Sequence, residues 1–359
     1  MRIIKGDFTS GKMANGGVFA SAMVVAIHVT GRGLDEISFG TVLWWLEAVC
    51  HWGIFLIAVP FFFTCSGYFL AKHVGEHCWY VREITKRFKT ILVPYIIWGM
   101  LFALIPVFSG VLSNFVNCNF NQSMNFSKSF WIDALGLDVR HYPRLSVLWY
   151  MRALMAFVLV SPFIARLINR HRQKVIIIGG GLILASFVLG VMAMRSSELS
   201  LGMRLYKVQH LNGFFYFCFG MYIGMNRMEF KLEKYCGVLK YAFIPGLTII
   251  ALTVLVNIVF HVQLLPITCI VFIPLVLASF WRVIPPRPFP AAFTGATFAI
   301  YLMHMVVWMA LGILHVPLYV ENVSQWIVKW CIGFFVPVGI TILLRILCPR
   351  VAEALLGGR

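Results

Sequence analysis

His28 is the one ionisable residue in the apolar run 16–31, and His304 interrupts a second run, Ala299-Ile-Tyr301-Leu-Met-His304. An ionisable group inside a membrane segment is costly and marks a functional candidate, although a histidine satisfied by helix packing is the alternative. Two such histidines in separate runs point to a shared polar cavity. A neutral imidazole there could take a proton as general base or accept an acyl group as nucleophile. Glu47 and His51 are spaced i, i+4 and would share one helix face, as a proton-sharing pair or as two groups in water at the outer interface. Ser66-Gly67 puts a hydroxyl beside a residue with no side chain, which permits close approach by a ligand or by another helix. Arg152, next to Trp149, could neutralise an anion or snorkel to the interface. Lys86, Arg87 and Lys89 form a basic cluster at the start of an apolar segment. They suit either a membrane anchor or a seat for a phosphorylated cofactor.

The elements that must position these residues follow from composition. The 359 residues are 60% hydrophobic and 12% charged, with mean hydropathy +0.86. A soluble domain carries about 25% charged residues, so this is an all-α, polytopic membrane protein without a separate soluble domain. Spanning segments need roughly 20 apolar residues each. Ten are expected, at about 14–31, 52–71, 91–109, 146–166, 175–194, 210–226, 241–260, 264–281, 293–313 and 324–345. The stretch 42–50 is too short to span and either lies at the interface or lengthens the second helix. With both termini cytoplasmic, the loops assigned inside hold a roughly threefold excess of Lys and Arg over those outside. That clustering explains the formal charge of +17 and excludes a nucleic-acid partner. The basic start followed by an apolar run could be a signal peptide, but it leads straight into further spans and reads as a retained helix. The nine cysteines lie mostly within spans and lack zinc-like spacing, so neither a disulfide framework nor a metal site is expected.

The longest loop, about 110–145, falls outside and is rich in Asn, Ser and aromatics. Such side chains serve sugar binding by stacking and hydrogen bonding, or simply form an interfacial belt.

Several fragments together resemble the acyltransferase-3 family of bacterial membrane acyltransferases. They are Val59-Pro-Phe-Phe-Phe-Thr-Cys-Ser66-Gly67-Tyr-Phe-Leu, the helix start Lys86-Arg87-Phe-Lys89-Thr-Ile-Leu-Val-Pro94-Tyr95-Ile-Ile-Trp98, Leu148-Trp149-Tyr150-Met-Arg152-Ala-Leu with Ser161-Pro162, the segment 215–224, and Ala296-Thr-Phe-Ala-Ile-Tyr301-Leu-Met-His304. They occur in the family's order across nearly the whole chain. The resemblance implies a multi-pass protein of the bacterial inner membrane. It would transfer an acyl group, often acetyl, from cytosolic acyl-CoA as co-substrate to a hydroxyl of a surface or lipid-linked carbohydrate. His28 matches the family's first-span histidine. The basic residue expected eleven positions earlier is Gly17 here, with Lys12 the nearest upstream cation. The second cation of the family's paired basic motif, counted from Arg87, is Thr90, while Lys86 and Lys89 keep the spacing one residue earlier.

On that reading His28, roughly 20 Å outward from Lys12 along the first helix, takes the proton from the attacking hydroxyl. An acyl-histidine is the other route. Ser66, or backbone donors beside Gly67, would stabilise the oxyanion. Lys86, Arg87 and Lys89 would hold the nucleotide, and Glu47, Trp149, Arg152 and His304 would face the acceptor. A non-catalytic transporter or binding protein on the same fold is the rival.

Overall fold

The computed structural model describes residues 5–31, 36–52, 54–116, 145–171, 201–228 and 280–358 apart from residue 317, with a few isolated positions between. The expected spans at 175–194 and 241–260, and most of 264–281 and of the 110–145 loop, lie outside the described residues. Among the described residues every regular element is helical.

The helices are α1 (Lys5–Ile27), α2 (Val42–Trp52), α3 (Ala58–Ala71), α4 (Trp79–Arg87), α5 (Val93–Val116), α6 (Trp149–Arg170), α7 (Leu201–Met225), α8 (Thr297–Ile313), α9 (Val323–Leu347) and α10 (Pro349–Leu356). Four described stretches are long and apolar enough to cross a membrane: Val42–Ala71, Trp79–Leu104, Ser146–Arg170 and Val323–Leu347. The 42–50 stretch lengthens the second span, since α2 continues through a 3-10 turn at Ile54–Ile57 into α3. The third expected span starts earlier than its apolar run, because α4 carries the basic cluster and joins α5 through a π turn at Phe88–Leu92. Pro94 explains that turn. It has no N–H for the Thr90 carbonyl and its ring crowds the same group, so the helix widens just before it.

Packing is set by small residues and satisfied indoles rather than by a water-driven core. A Cβ on Gly67 would meet Met221 N at 3.0 Å, and one on Gly224 would meet Tyr68 O at 2.8 Å, so the backbones of α3 and α7 touch. The matched positions ascend together along both helices, which therefore run parallel. Asn15, fully buried in α1, donates to the carbonyls of Pro285 and Arg287 and accepts from Phe289 N, fastening the strap before α8. Ser21 Oγ then donates to Thr297 O at 3.1 Å, and seven residues further on His28, in the turn just past α1, meets His304 of α8. Helices α1 and α8 are thus parallel in a fixed register. By contrast, α8 and α9 are antiparallel, with Trp308 Nε1 donating to Lys329 O and Arg345 to Gly295 O. At the N-terminus of α9, Asn322 Oδ1 accepts from Gln325 N, and Gln325 Oε1 accepts from Glu321 N, a reciprocal cap.

Candidate active site

Helices α1, α3, α6 and α8, the α4–α5 junction and the end of the chain surround a cavity of about 450 Å³. Its basic end is lined by Lys72, His73, Lys86, Arg87 and Thr90, and its deep end by Gly17, Ser66, Tyr150, Thr297 and Tyr301. Phe61, Phe62, Phe69 and Phe298 supply apolar walls between them. A cationic mouth leading to an apolar passage and a cluster of hydroxyls is the profile of a site for a long ligand with an anionic end.

The mouth is prearranged. Arg87 lies 3.4 Å from Glu83, one turn earlier on α4, and Glu83 also lies 3.7 Å from His73 Nε2. Three polar atoms there are buried without a hydrogen-bond partner among the described residues: Arg87 Nε, Thr90 Oγ1 and Glu83 Oε2, the last within ion-pair distance of Arg87. Buried polar atoms of this kind call for a ligand or ion to complete them. Gly357, left-handed at φ +67°, packs against the Thr90 backbone. The π turn and Pro94 leave the Thr90 carbonyl available for that approach. Outside the mouth, Arg82 and His73 hydrogen-bond to Glu76 and hold its carboxyl below the usual range.

At the deep end the Ser66 and Tyr150 hydroxyls are 3.1 Å apart, and Tyr150 stands edge-on to Tyr301 at 5.7 Å. Tyr301 donates to Val147 O, which fixes its ring against the turn before α6. Gly67 has a different role from its neighbour. Its bare face is filled by α7, so it provides helix contact rather than access for a ligand.

His28 and His304 lie off this cavity and meet each other, rings stacked with centroids 5.5 Å apart and 27° between planes. His304 is one turn beyond Tyr301, a rise of about 4.5 Å, so the pair stands just past the cavity's deep end. The His304 Nδ1 atom is 3.0 Å from Ile300 O. A carbonyl only accepts, so Nδ1 carries the hydrogen and Nε2 keeps its lone pair. That Nε2 is buried without a hydrogen-bond partner among the described residues. It is placed to accept a hydrogen bond or a proton.

Other expected site residues fall elsewhere. Lys89 is exposed and off the cavity that Lys86 and Arg87 line. Lys12 is buried, with Nζ donating to Trp281 O at 3.3 Å, and does not stand in at the position of Gly17. The reading that Glu47 sits in interfacial water fails: it is fully buried, with Trp326 Nε1 donating to Oε1 at 2.6 Å. The partner belongs to α9, far away in sequence, and the side chain of His51 lies outside the described residues. Trp149 packs on Phe63 and His210. Arg152 is half-buried, within electrostatic reach of Tyr95 and His210. Sequence reasoning missed Lys72, His73 and Glu83 at the mouth and the roles of Tyr150 and Tyr301. Only the i, i+4 spacing of Glu83 and Arg87 offered a signal.

The sequence pattern of the acyltransferase-3 family, described as an acyltransferase domain, matches residues 18–346. The chain is also similar to the succinoglycan biosynthesis protein ExoH of Rhizobium meliloti (strain 1021), at 26% identity over 134 residues. That similarity covers 35% of this chain and 34% of the relative, about a third of each. No solved structure matches.

Proposed function

Because this chain belongs to the acyltransferase-3 family, we propose that it is a multi-pass inner-membrane enzyme that acylates a polysaccharide or its lipid-linked precursor. The donor is a cytosolic acyl-CoA, with acetyl the group moved, and the acceptor is a sugar hydroxyl. Ten spans with both ends cytoplasmic fit the directions of the described helices. The first and ninth run parallel, as do the second and sixth, while the ninth and tenth oppose each other.

The observation that carries this reading is the cavity with Lys86, Arg87 and the unpartnered Arg87 Nε and Thr90 Oγ1 lining its mouth and hydroxyls at its end, one helical turn from two stacked imidazoles. The nucleotide phosphates bind Lys86 and Arg87, and the pantetheine arm follows the phenylalanine walls. The acceptor oxygen attacks the thioester carbonyl carbon while its proton passes to His28. Ser66 and Tyr150 donate to the developing oxyanion. The carbon–sulfur bond then breaks and the leaving thiolate takes the proton back from His28. His304, with Nε2 as acceptor, orients the hydroxyl beside His28. General-base assistance of this kind contributes typically 10²–10⁴ in rate.

The decisive assay measures free thiol release from acetyl-CoA by the purified protein, with and without glycan acceptor. It is paired with mass spectrometry of surface glycans from a deletion strain. Acceptor-dependent thiol release and loss of glycan acyl groups are expected. No thiol release, with glycans unchanged, would leave a non-catalytic binding protein.

A further inference from the structure

A second recess, of about 970 Å³, opens where α3, α6 and α7 end on the basic side of the molecule. Lys72, Arg166, Arg170 and Arg227 line it, together with Asn169 and the aromatic rings of Tyr68 and Trp79. No acidic residue contributes to its wall. Among the described residues none of these four cations has a carboxylate within salt-bridge distance. The nearby acids Glu76 and Glu83 are instead committed to Arg82, His73 and Arg87. Cations at a cytoplasmic helix end serve orientation and complement the helix dipole, and neither role requires convergence. Here four like charges face one concavity, an arrangement that repels itself unless an anion sits among them.

The flank of the recess identifies which anion. Leu159, Phe163, Arg166 and Arg170 follow one another at i, i+4, i+7 and i+11, so they form a single stripe along α6. Leu159 is 56% and Phe163 69% exposed, and both arginines are exposed below them. Reading outward along the helix, the stripe passes from charge to bare hydrocarbon within about two turns. A soluble phosphate or nucleotide matches only the lower half of that surface. A phospholipid matches all of it, with its phosphate ester at the arginines and acyl chains against Leu159 and Phe163.

We infer that this recess binds an anionic phospholipid of the cytoplasmic leaflet, its headgroup held by Lys72, Arg166, Arg170 and Arg227. Basic pockets between transmembrane helices on the cytoplasmic side are suited to such headgroups. The inference rests on the membrane orientation given by the basic loops and is independent of acyl transfer. Because Lys72 also lines the donor cavity, it is left unaltered in the test.

The test compares wild-type protein with R166Q/R170Q/R227Q in detergent micelles by native mass spectrometry. The probes are phosphatidylglycerol, zwitterionic phosphatidylcholine, inorganic phosphate and ADP. Selective retention of phosphatidylglycerol over phosphatidylcholine is expected in the wild type. In the variant it should weaken on the order of a hundredfold, from roughly fivefold per cation at a membrane surface. Equal retention of the two lipids, or undiminished phosphatidylglycerol binding in the variant, overturns the proposal. Displacement of the lipid by ADP or phosphate at micromolar concentration does so too, because the occupant would then be a soluble anion. If the glutamine variant fails to insert, R166K/R170K/R227K keeps the inside charge and takes its place. Several-fold weaker retention is then expected from the loss of forked hydrogen bonds, and unchanged retention is again a refutation.

Discussion

Two glycines near the candidate site, Gly17 in the cavity wall and Gly67 at the α3–α7 contact behind Ser66, should respond to the same substitution with opposite signs. On Gly67, an added methyl would stand 3.0 Å from both Met221 N and the Phe217 carbonyl carbon, and closer still to the Phe217 oxygen. Ordinary carbon contacts are about 3.5–4.0 Å, so α3 and α7 must part by roughly half an ångström or more. Backbone cannot rotate away as a side chain does, and Gly213 and Gly224 tie the same two helices at further points. Overpacking of this kind costs about 1–3 kcal/mol. Ser66 moves with its neighbour, so its 3.1 Å contact with Tyr150 should also be lost. On Gly17 the nearest atom to an added Cβ is Thr297 Cγ2 at 3.5 Å, an ordinary contact. Gly17→Ala should therefore gain up to about 1 kcal/mol from helix propensity alone. Thermal unfolding of the purified variants in one detergent, with thiol release from acetyl-CoA as second readout, checks both. Gly67→Ala is expected to unfold at lower temperature and lose activity, while Gly17→Ala matches or exceeds the wild type. Equal unfolding temperatures for the two variants would refute the packing argument.

Four further outcomes are expected. His28→Ala should abolish transfer while membrane insertion, read by protease accessibility of the loops, stays intact; normal glycan acylation in that strain would sink the general-base role. Lys86→Gln with Arg87→Gln should raise KM for acyl-CoA, whereas Lys89→Gln should leave it unchanged, because Lys89 is off the cavity; steady-state kinetics showing equal effects would contradict the assignment. Glu47→Ala leaves the Trp326 indole without its acceptor and should cost about 1–3 kcal/mol in unfolding measurements. Glu47→Gln, which keeps an acceptor, should cost less, and the reverse order would count against the hydrogen bond. The Glu76 carboxyl is held below 4.5 by Arg82 and then His73, so its stabilising contribution is present above that value and fades as pH falls through the lower folded pKa. Hydrogen exchange across residues 72–79 should rise on acidification in the wild type, and a matching rise in Glu76→Gln would exclude Glu76 as the cause.

What was legible in the sequence was whatever stood out against hydrocarbon. His28 and His304 were visible because no Asp, Glu, Lys, Arg or other His shares their runs, and their convergence follows from two helices packed in register. The reason Lys89 leaves the cavity was harder to see. Its spacing from Lys86 puts the two on one face of a regular helix, but the π turn at Phe88–Leu92 adds a residue to the winding and changes the phase. Pro94 was the available warning. The burial of Glu47 had no local signal at all. Its i, i+4 relation to His51 left a proton-sharing pair and two groups in interfacial water open, while the deciding partner, Trp326, is brought in by tertiary packing of α2 on α9. The same holds for Gly67, whose bare face reads equally as helix contact or ligand approach until α7 is seen against it.

Gly17 and Thr90 are the two positions where the resemblance leads one to expect cations, and both line the candidate cavity. Read along the chain, their replacement by uncharged residues suggests a weakened seat for an anion. Around the cavity the balance is different. Lys72 and His73 reach the same mouth as Lys86 and Arg87 from the end of α3, a segment the pattern does not count among its basic positions. Glu83 neutralises part of that charge but also fixes the direction of Arg87, whose Nε and the Thr90 hydroxyl stay available to a ligand. What the two substitutions change is therefore shape more than charge. Gly17 leaves the cavity wall bare beside Thr297, whose Cγ2 is 3.5 Å from where a Cβ would stand, and Gly357 packs on the Thr90 backbone at the mouth. A basic position missing from a linear pattern need not be a charge missing from the cavity, because the cavity draws its cations from several helices at once.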